Sequence, residues 1–82
     1  MSYNILILAG AARQLAGLPP EVYEAVRDRI RALAAEPLPL ESEKIAAREG
    51  WRVPVGRYRV IYKVDQPVAR VTVLDVSLRS DA

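Results

Sequence analysis

Arginine is the residue type with the clearest capacity for chemistry in this sequence, because histidine and cysteine are both absent. Without histidine, the commonest general base near neutral pH is missing, together with Ser-His-Asp and Cys-His arrangements and most zinc sites. Without cysteine, disulfides and thiolate metal sites are excluded. Any catalysis must therefore use arginine, lysine, tyrosine or carboxylates, and we expect no cofactor and no metal.

The charges are unevenly distributed along the chain, although the net charge is only +2. Residues 1–47 carry a net charge of −1, whereas residues 48–82 carry +3. This asymmetry favours a polyanionic partner for the C-terminal half, with ordinary solubilising charge as the alternative. The apolar run at residues 5–9 is far too short to cross a bilayer, which needs roughly 20 residues. With no cysteine and no secretory signal, we expect a cytoplasmic protein.

The pattern of apolar residues predicts an α+β fold of order β-α-α-β-β-β in a single domain spanning residues 1–82. Residues 3–9 are predicted to form a strand, residues 11–18 a short helix, and residues 20–33 a longer helix with one apolar face. Residues 36–50 are a proline- and charge-rich connection with a short helical or extended piece near its middle. The two helices should pack on one face of a mainly antiparallel, four-stranded sheet.

The C-terminal half changes to the period-two alternation of strands. Gly56-Arg57 separates two alternating runs, which is typical of a type II′ hairpin and sets Val55 opposite Tyr58. A last strand is predicted at residues 70–78. Because strand side chains alternate between faces, one face should lie under the helices. Its predicted members are Trp51, Val53, Val55, Tyr58, Val60, Tyr62, Val64, Leu74, Val76 and Leu78.

The opposite face of the predicted sheet gathers Arg52, Arg59 and Arg79 from three different strands. The planar guanidinium group of arginine donates hydrogen bonds to two phosphate oxygens at once. Three such groups would stabilise the charge that develops on a phosphate when a nucleophile attacks it. The alternative is that these are solvated charges, with Asp75 as a salt-bridge partner. Three aromatic residues could stack on bases, but alternation assigns them to the core: Trp51, Tyr58 and Tyr62.

Two C-terminal segments resemble the RelE/ParE superfamily of toxins from bacterial toxin–antitoxin pairs. They are residues 48–65, REGWRVPVGRYRVIYKVD, and residues 71–79, VTVLDVSLR. Members of that superfamily carry a YRxRVGDYRVIYxID … VxVLxVGHR pattern in the same order, and residues 14–22 resemble its first helical hairpin. The resemblance covers nearly the whole chain, and the YRVIY segment is its specific part.

The resemblance implies a RelE-like toxin that cleaves mRNA on the ribosome without a metal, using the 2′-hydroxyl of the RNA as nucleophile. By position, it implies that Arg52, Arg59 and Arg79 are catalytic. Four further residues are expected to bind RNA: Lys44, Arg48, Arg57 and Lys63. The expected partners are a cognate antitoxin, the ribosome and mRNA, with operator DNA reached indirectly through the antitoxin and no membrane involved.

The sequence departs from the superfamily pattern where proton transfer is expected. Pro54 replaces a basic residue of the first hairpin strand, Leu78 replaces another before the last arginine, and the sequence ends at Ala82 without the tyrosine that often follows. These departures leave open a non-catalytic member, either a ParE-like gyrase inhibitor or a degenerate module that binds only nucleic acid or antitoxin. In a cleaving member, a basic residue at position 78 is expected to raise the rate.

Overall fold

The computed structural model describes residues 2–79 and contains two helices and five strands. In chain order these are β1 (Asn4–Ile7), α1 (Ala9–Ala16), α2 (Pro20–Ala32), β2 (Glu43–Lys44), β3 (Trp51–Val55), β4 (Tyr58–Asp65) and β5 (Arg70–Leu78). The strands form one sheet in the order β1-β5-β4-β3-β2, in which only the β1–β5 pairing is parallel. The predicted α+β class and element order are confirmed. The sheet has five strands rather than four, because the two residues of β2 pair with the start of β3.

Local sequence explains where the longer helix begins and which side of it is buried. Pro20 occupies the first helical position, where no backbone N–H is needed, and Glu21 lies at the positive end of the helix dipole. Val26 and Ile30, one turn apart, are the buried residues of α2. Both helices contribute to one core cluster with alternate residues of the strands. Neither helix within residues 2–79 is long and apolar enough to cross a membrane.

The hairpin between β3 and β4 sets the register of the central strands as predicted. Gly56 has a φ of 59°, and Ala69 alone among the described non-glycine residues has a positive φ. Arg57 therefore has a negative φ, which is the combination that a type II′ turn requires. Val55 pairs with Tyr58 as predicted.

The pairing of β4 with β5 contains a β-bulge that alternation did not predict. Tyr62 pairs with Val73 but Ile61 pairs with Asp75, so that Leu74 is an extra residue on β5. A bulge of this kind interrupts the period of two and changes which side chains reach each face.

The bulge corrects the predicted inner face of β5. Leu74 is not part of the core cluster, so the prediction that its side chain lies under the helices was wrong, whereas Leu78 keeps the predicted side of the sheet but is 61% exposed near the end of the strand. The core receives these β5 residues instead: Val71, Val73 and Val76.

Candidate functional site

Arg59 lies at the centre of the sheet face that the helices leave uncovered, which we call the open face. Its direct neighbours across the sheet are Pro54 on β3 and Ser77 on β5. Arg52 and Arg79 lie two residues beyond those neighbours, so each is diagonal to Arg59, at a typical separation of roughly 7–8 Å. Arginine side chains reach across such distances, and the fold therefore brings the three predicted catalytic arginines to one face.

The two flanking arginines have weak internal partners. The Nε of Arg52 lies 3.2 Å from Oε1 of Glu43 on β2, and both side chains are substantially exposed. The Nη1 of Arg79 donates to the carbonyl oxygen of Gly56 at 3.4 Å, which is long for a hydrogen bond. An exposed ion pair such as Arg52–Glu43 is worth about 0–1 kcal/mol, and the Arg79 hydrogen bond is long, so an incoming phosphate can displace both.

Arg59 differs from both flanking residues because part of its guanidinium group is buried. Its Nε is inaccessible to solvent and has no hydrogen-bond partner within the described chain. A buried unpaired donor costs about 1–3 kcal/mol, and such groups usually find a partner. Among the three arginines of this face, Arg59 is therefore the one with a buried N–H group that lacks a hydrogen-bond acceptor.

Asp75 provides a carboxylate beside this arginine. Its Oδ1 accepts a hydrogen bond from Nε2 of Gln14 at 2.9 Å, and its Oδ2 accepts one from Oγ of Ser77 at 2.7 Å. Partial burial acts to raise the pKa of Asp75. The hydrogen bonds from Ser77 and Gln14 and the charges of Arg59 and Arg48 outweigh this effect, so the pKa lies below its ordinary value. The carboxylate is consequently ionised at neutral pH.

Two of the residues predicted to bind RNA lie on or near the open face. Lys63 lies on β4 opposite Thr72, where both residues line a polar cavity of about 430 Å³ together with Arg70 and the carboxylates of Glu49 and Asp65. Arg48 is exposed in the connection between β2 and β3, near enough to Asp75 for its charge to lower the pKa of that group. These two cations extend the basic surface beyond the three arginines.

The other two predicted RNA-binding residues point elsewhere. Lys44 pairs with Trp51, and its Nζ lies 5.4 Å from the centre of the indole ring, on the helix-covered side of the sheet. Arg57 is exposed in the β3–β4 turn and lines a groove with Glu21 at the start of α2. The fold therefore does not bring the four predicted RNA-binding residues together.

The positions that depart from the superfamily pattern lie on different faces. Pro54 is directly opposite Arg59, so a side chain at this position belongs to the open face. Leu78 is opposite Tyr58, which lines a groove beside α2, so position 78 belongs to the helix-covered side. Residues 80–82, where the expected tyrosine would follow, are outside the described residues.

The outer edge of β1 is a second surface with distinctive chemistry. Asn4 and Leu8 direct their N–H groups to β5, so the intervening Ile5 and Ile7 direct theirs outwards, where the described chain provides no strand. Leu6 is 47% exposed on this strand. A largely apolar groove of about 320 Å³, which we call the β1 groove, lies beside it. It is lined by Ile5, Ile7, Leu15, Tyr23, Arg27, Ile30 and Arg31.

Sequence reasoning missed the contact between Gln14 and Asp75. The two residues are 61 positions apart, and no periodicity connects a helix surface position to the edge of a strand. Alternation alone predicts Asp75 only as a salt-bridge partner of the arginines. Within residues 2–79, no group of three or more histidine, cysteine, aspartate and glutamate residues is placed to hold a metal ion.

Comparison with known proteins agrees with this fold. The family model for the ParE toxin of the type II toxin–antitoxin system parDE matches residues 7–82. A chain of the RelBE2 toxin–antitoxin complex from Mycobacterium tuberculosis is 27% identical with a TM-score of 0.85, over 96% of this chain and 100% of that one. A chain of the archaeal RelE–RelB complex from Pyrococcus horikoshii is 26% identical with a TM-score of 0.84, over 100% of both chains.

More distant structures share the fold alone. The isolated RelE toxin of E. coli is 17% identical with a TM-score of 0.83, over 99% of this chain and 88% of that one. No curated protein sequence matches the chain. Because the family match runs through both helices, the hairpin and β5, this chain belongs to the RelE/ParE superfamily and is a toxin of a type II toxin–antitoxin system.

Proposed function

We propose that this toxin is a ribosome-dependent mRNA endonuclease that binds the scissile phosphate of the message on its open face. The observation that carries the proposal is Arg59. It lies at the centre of the face with a buried Nε that has no partner in the described chain, and Arg52 and Arg79 flank it diagonally. Burial of Nε holds the side chain in place, and the other guanidinium nitrogens of this half-buried residue are available to donate to a phosphate oxygen.

The chemistry available to these arginines is stabilisation of charge. When the 2′-hydroxyl of the RNA attacks the adjacent phosphorus, negative charge accumulates on the phosphate oxygens. Guanidinium donors already aimed at those oxygens lower the barrier, and removing one such donor typically costs about 10²–10³-fold in rate. Arginine remains protonated at all physiological pH values, so it does not accept the proton of the nucleophile.

A phosphate must also compete with carboxylates for these arginines. Glu43 holds Arg52 at the β2 side of the face, and Asp75 lies beside Arg59. Both carboxylates weaken the attraction of the face for RNA, but the Arg52–Glu43 pair is exposed and therefore easily exchanged. We accordingly expect moderate affinity for free RNA, with the ribosome supplying the remaining positioning.

A gyrase inhibitor is the second candidate function. The match to the ParE family and the replacement of a basic residue by Pro54 directly opposite Arg59 both favour it. In that case the open face binds a partner without cleaving RNA. The two functions predict different molecular events in the same cells, namely cut messages or arrested DNA supercoiling.

We further propose that the cognate antitoxin covers the β1 groove with an extended segment. The outward-facing backbone of Ile5 and Ile7 can pair with an added strand, and the groove beside it accepts apolar side chains. Arg27 and Arg31 at its margin favour acidic residues in that segment. The crystal structures of related toxins with antitoxins support such a partner. We expect operator DNA to be reached only indirectly, through that antitoxin.

The proposal is tested by inducing the toxin in bacteria and mapping the 5′ ends of ribosome-bound mRNA. New 5′ ends inside coding regions, at positions occupied by ribosomes, are the expected result and place the toxin's action in the cytoplasm. A parallel assay measures supercoiling of relaxed plasmid by purified gyrase. Inhibited supercoiling with intact messages would overturn the endonuclease proposal in favour of the second candidate.

A further inference from the structure

The carboxylate of Asp75 is fixed in place by an element from the other end of the chain. β5 continues past the end of its neighbour β1, so the N–H of Val76 finds no strand beside it. The Oε1 of Gln14 on α1 accepts that N–H at 2.8 Å, while the Nε2 of the same amide donates to Asp75 at 2.9 Å. One side chain thereby satisfies the strand edge and orients the carboxylate.

The unpaired N–H at the edge of β5 explains why Gln14 contacts Val76, but it does not explain why Gln14 also contacts Asp75. An acceptor for the Val76 N–H is needed because a buried unpaired backbone donor is costly, and Gln14 provides it. The second hydrogen bond of the amide could equally go to water, which would leave residue 75 free to be any residue compatible with the bulge. Satisfying the N–H of Val76 therefore does not require an ionised carboxylate at position 75 with a hydrogen bond to each of its oxygens.

The position of Asp75 relates it to the proposed phosphate site. Its direct neighbour on β4 is Ile61, and its hydrogen-bonded neighbour Ser77 lies opposite Arg59. Asp75 is thus diagonal to Arg59, at the separation of roughly 7–8 Å that is typical of diagonal residues in a sheet. The 2′-hydroxyl of a ribonucleotide is adjacent to the phosphate that it attacks, so an acceptor for its proton must lie beside the phosphate-binding arginine.

Asp75 is the described group of the open face best placed to accept that proton, because the carboxylates of Glu49 and Asp65 lie farther from Arg59, in the polar cavity at the end of β4. The sequence has no histidine, and the hydroxyl of the buried Tyr62 donates to Pro37 on the opposite side of the sheet. Glu43 is occupied by Arg52, and the arginines are permanently protonated. Asp75 is ionised, immobilised and next to Arg59, and each of its oxygens accepts a single hydrogen bond from a side chain.

We propose that Asp75 is the general base of RNA cleavage, a role that rests on the endonuclease function proposed above. The carboxylate takes the proton of the 2′-hydroxyl as the 2′-oxygen forms a bond to phosphorus and the bond from phosphorus to the 5′-oxygen breaks. Water protonates the departing 5′-oxygen and later removes the proton from Asp75. The products are a 2′,3′-cyclic phosphate and a 5′-hydroxyl end.

The proposal is tested with Asp75→Asn, which has nearly the same shape and removes only the acidity. The matched control is Asp28→Asn, which removes the same charge from an exposed position on α2. Single-turnover cleavage of ribosome-bound mRNA should fall about 10²-fold or more in Asp75→Asn and remain unchanged in the control. Binding of a non-cleavable 2′-deoxy oligonucleotide should not weaken in either variant, because each loses a negative charge.

A second variant separates catalysis from structure. In Asp75→Ala, added formate should restore part of the cleavage rate at constant ionic strength, whereas Arg59→Ala should show no such rescue. Unchanged cleavage by Asp75→Asn, or the absence of rescue by formate, would overturn the role of Asp75 while leaving the endonuclease function intact. If the unmodified toxin cuts no message on ribosomes, the endonuclease function and the general base are both wrong.

Discussion

The helix-covered face and the open face of the sheet are built from alternate residues of the same strands, yet they are organised differently. On β4, Val60 packs in a core shared with both helices, whereas its neighbour Arg59 projects to the uncovered side. The covered face is held by close packing of apolar side chains. The open face is a network of charges whose members are loosely paired with one another, so the two faces should respond very differently to substitution.

The largest expected difference concerns Val60 and Ile61, which are adjacent on β4, face opposite sides and are only 0% and 7% exposed. Val60→Lys places a charge among both helices and the sheet, which should cost about 3–5 kcal/mol and leave little of the protein folded. Ile61→Lys should fold, because its ammonium group can extend past the neighbouring side chains to water. Urea denaturation followed by circular dichroism measures both. Equal destabilisation would show that the two faces are not distinct.

Tyr62→Phe probes the polar contact of the covered face. The Tyr62 hydroxyl donates to the carbonyl oxygen of Pro37 at 2.8 Å, and losing this bond should cost about 1–2 kcal/mol of unfolding free energy at neutral pH.

The same substitution has a defined effect at alkaline pH. Burial raises the pKa of Tyr62, so the folded state keeps the phenolic proton at a pH where the unfolded state has lost it. The associated stability is complete below pH of about 10 and decreases above it. Tyr62→Phe should therefore show a smaller alkaline loss of stability than the parent protein. Identical alkaline curves for the two proteins would contradict the role of burial.

A pair of lysine substitutions distinguishes the two faces by activity. Pro54→Lys adds a cation directly opposite Arg59, whereas Leu78→Lys adds one on the helix-covered side. Pro54→Lys should raise the cleavage rate about tenfold. This gain is smaller than the rate effect of a preorganised donor, because the lysine side chain is flexible. Leu78→Lys should have a smaller effect, contrary to what the superfamily pattern alone predicts. A larger gain at position 78 would mean that the strand register does not determine access to the site.

The smallest expected effect is on the salt dependence of RNA binding. Each phosphate contact releases counterions and contributes about −0.7 to the slope of log K against log salt for a single strand. Arg59→Ala should make this slope less negative by roughly that amount, and Arg31→Ala, an exposed arginine on α2, should leave it unchanged. A slope unaffected by Arg59→Ala would indicate that RNA does not contact the open face.

The parts of the fold that could be predicted are those that short segments determine. Gly56 adopts the positive φ that its turn requires, which fixes the pairing of Val55 with Tyr58. The long helix follows from Pro20 at its start and one apolar face. The placement of Arg52 and Arg59 on one face then follows from alternation alone.

The parts that could not be predicted depend on contacts between distant segments. The bulge at Leu74 lies where β5 pairs with β4 on one edge and contacts Gln14 of α1 on the other. No pattern in the neighbouring sequence predicts it. The contact between Gln14 and Asp75 has the same origin. The pairing of Glu43 with Arg52 required knowledge that two residues of the connection form a strand. Sequence periodicity therefore predicted the cations of the site and the presence of Asp75 beside them, but not the Glu43–Arg52 pair or the contact of Gln14 with Asp75.

The central claim is that the open face binds the scissile phosphate through Arg59. It is tested most directly by the single-turnover cleavage rate of mRNA on purified ribosomes, compared among the parent toxin, Arg59→Ala and the control Arg31→Ala, with the folding of each verified by thermal unfolding. The account predicts that Arg59→Ala remains folded and lowers the rate about 10²–10³-fold, while Arg31→Ala cleaves like the parent. Cleavage by Arg59→Ala at the parental rate would contradict it.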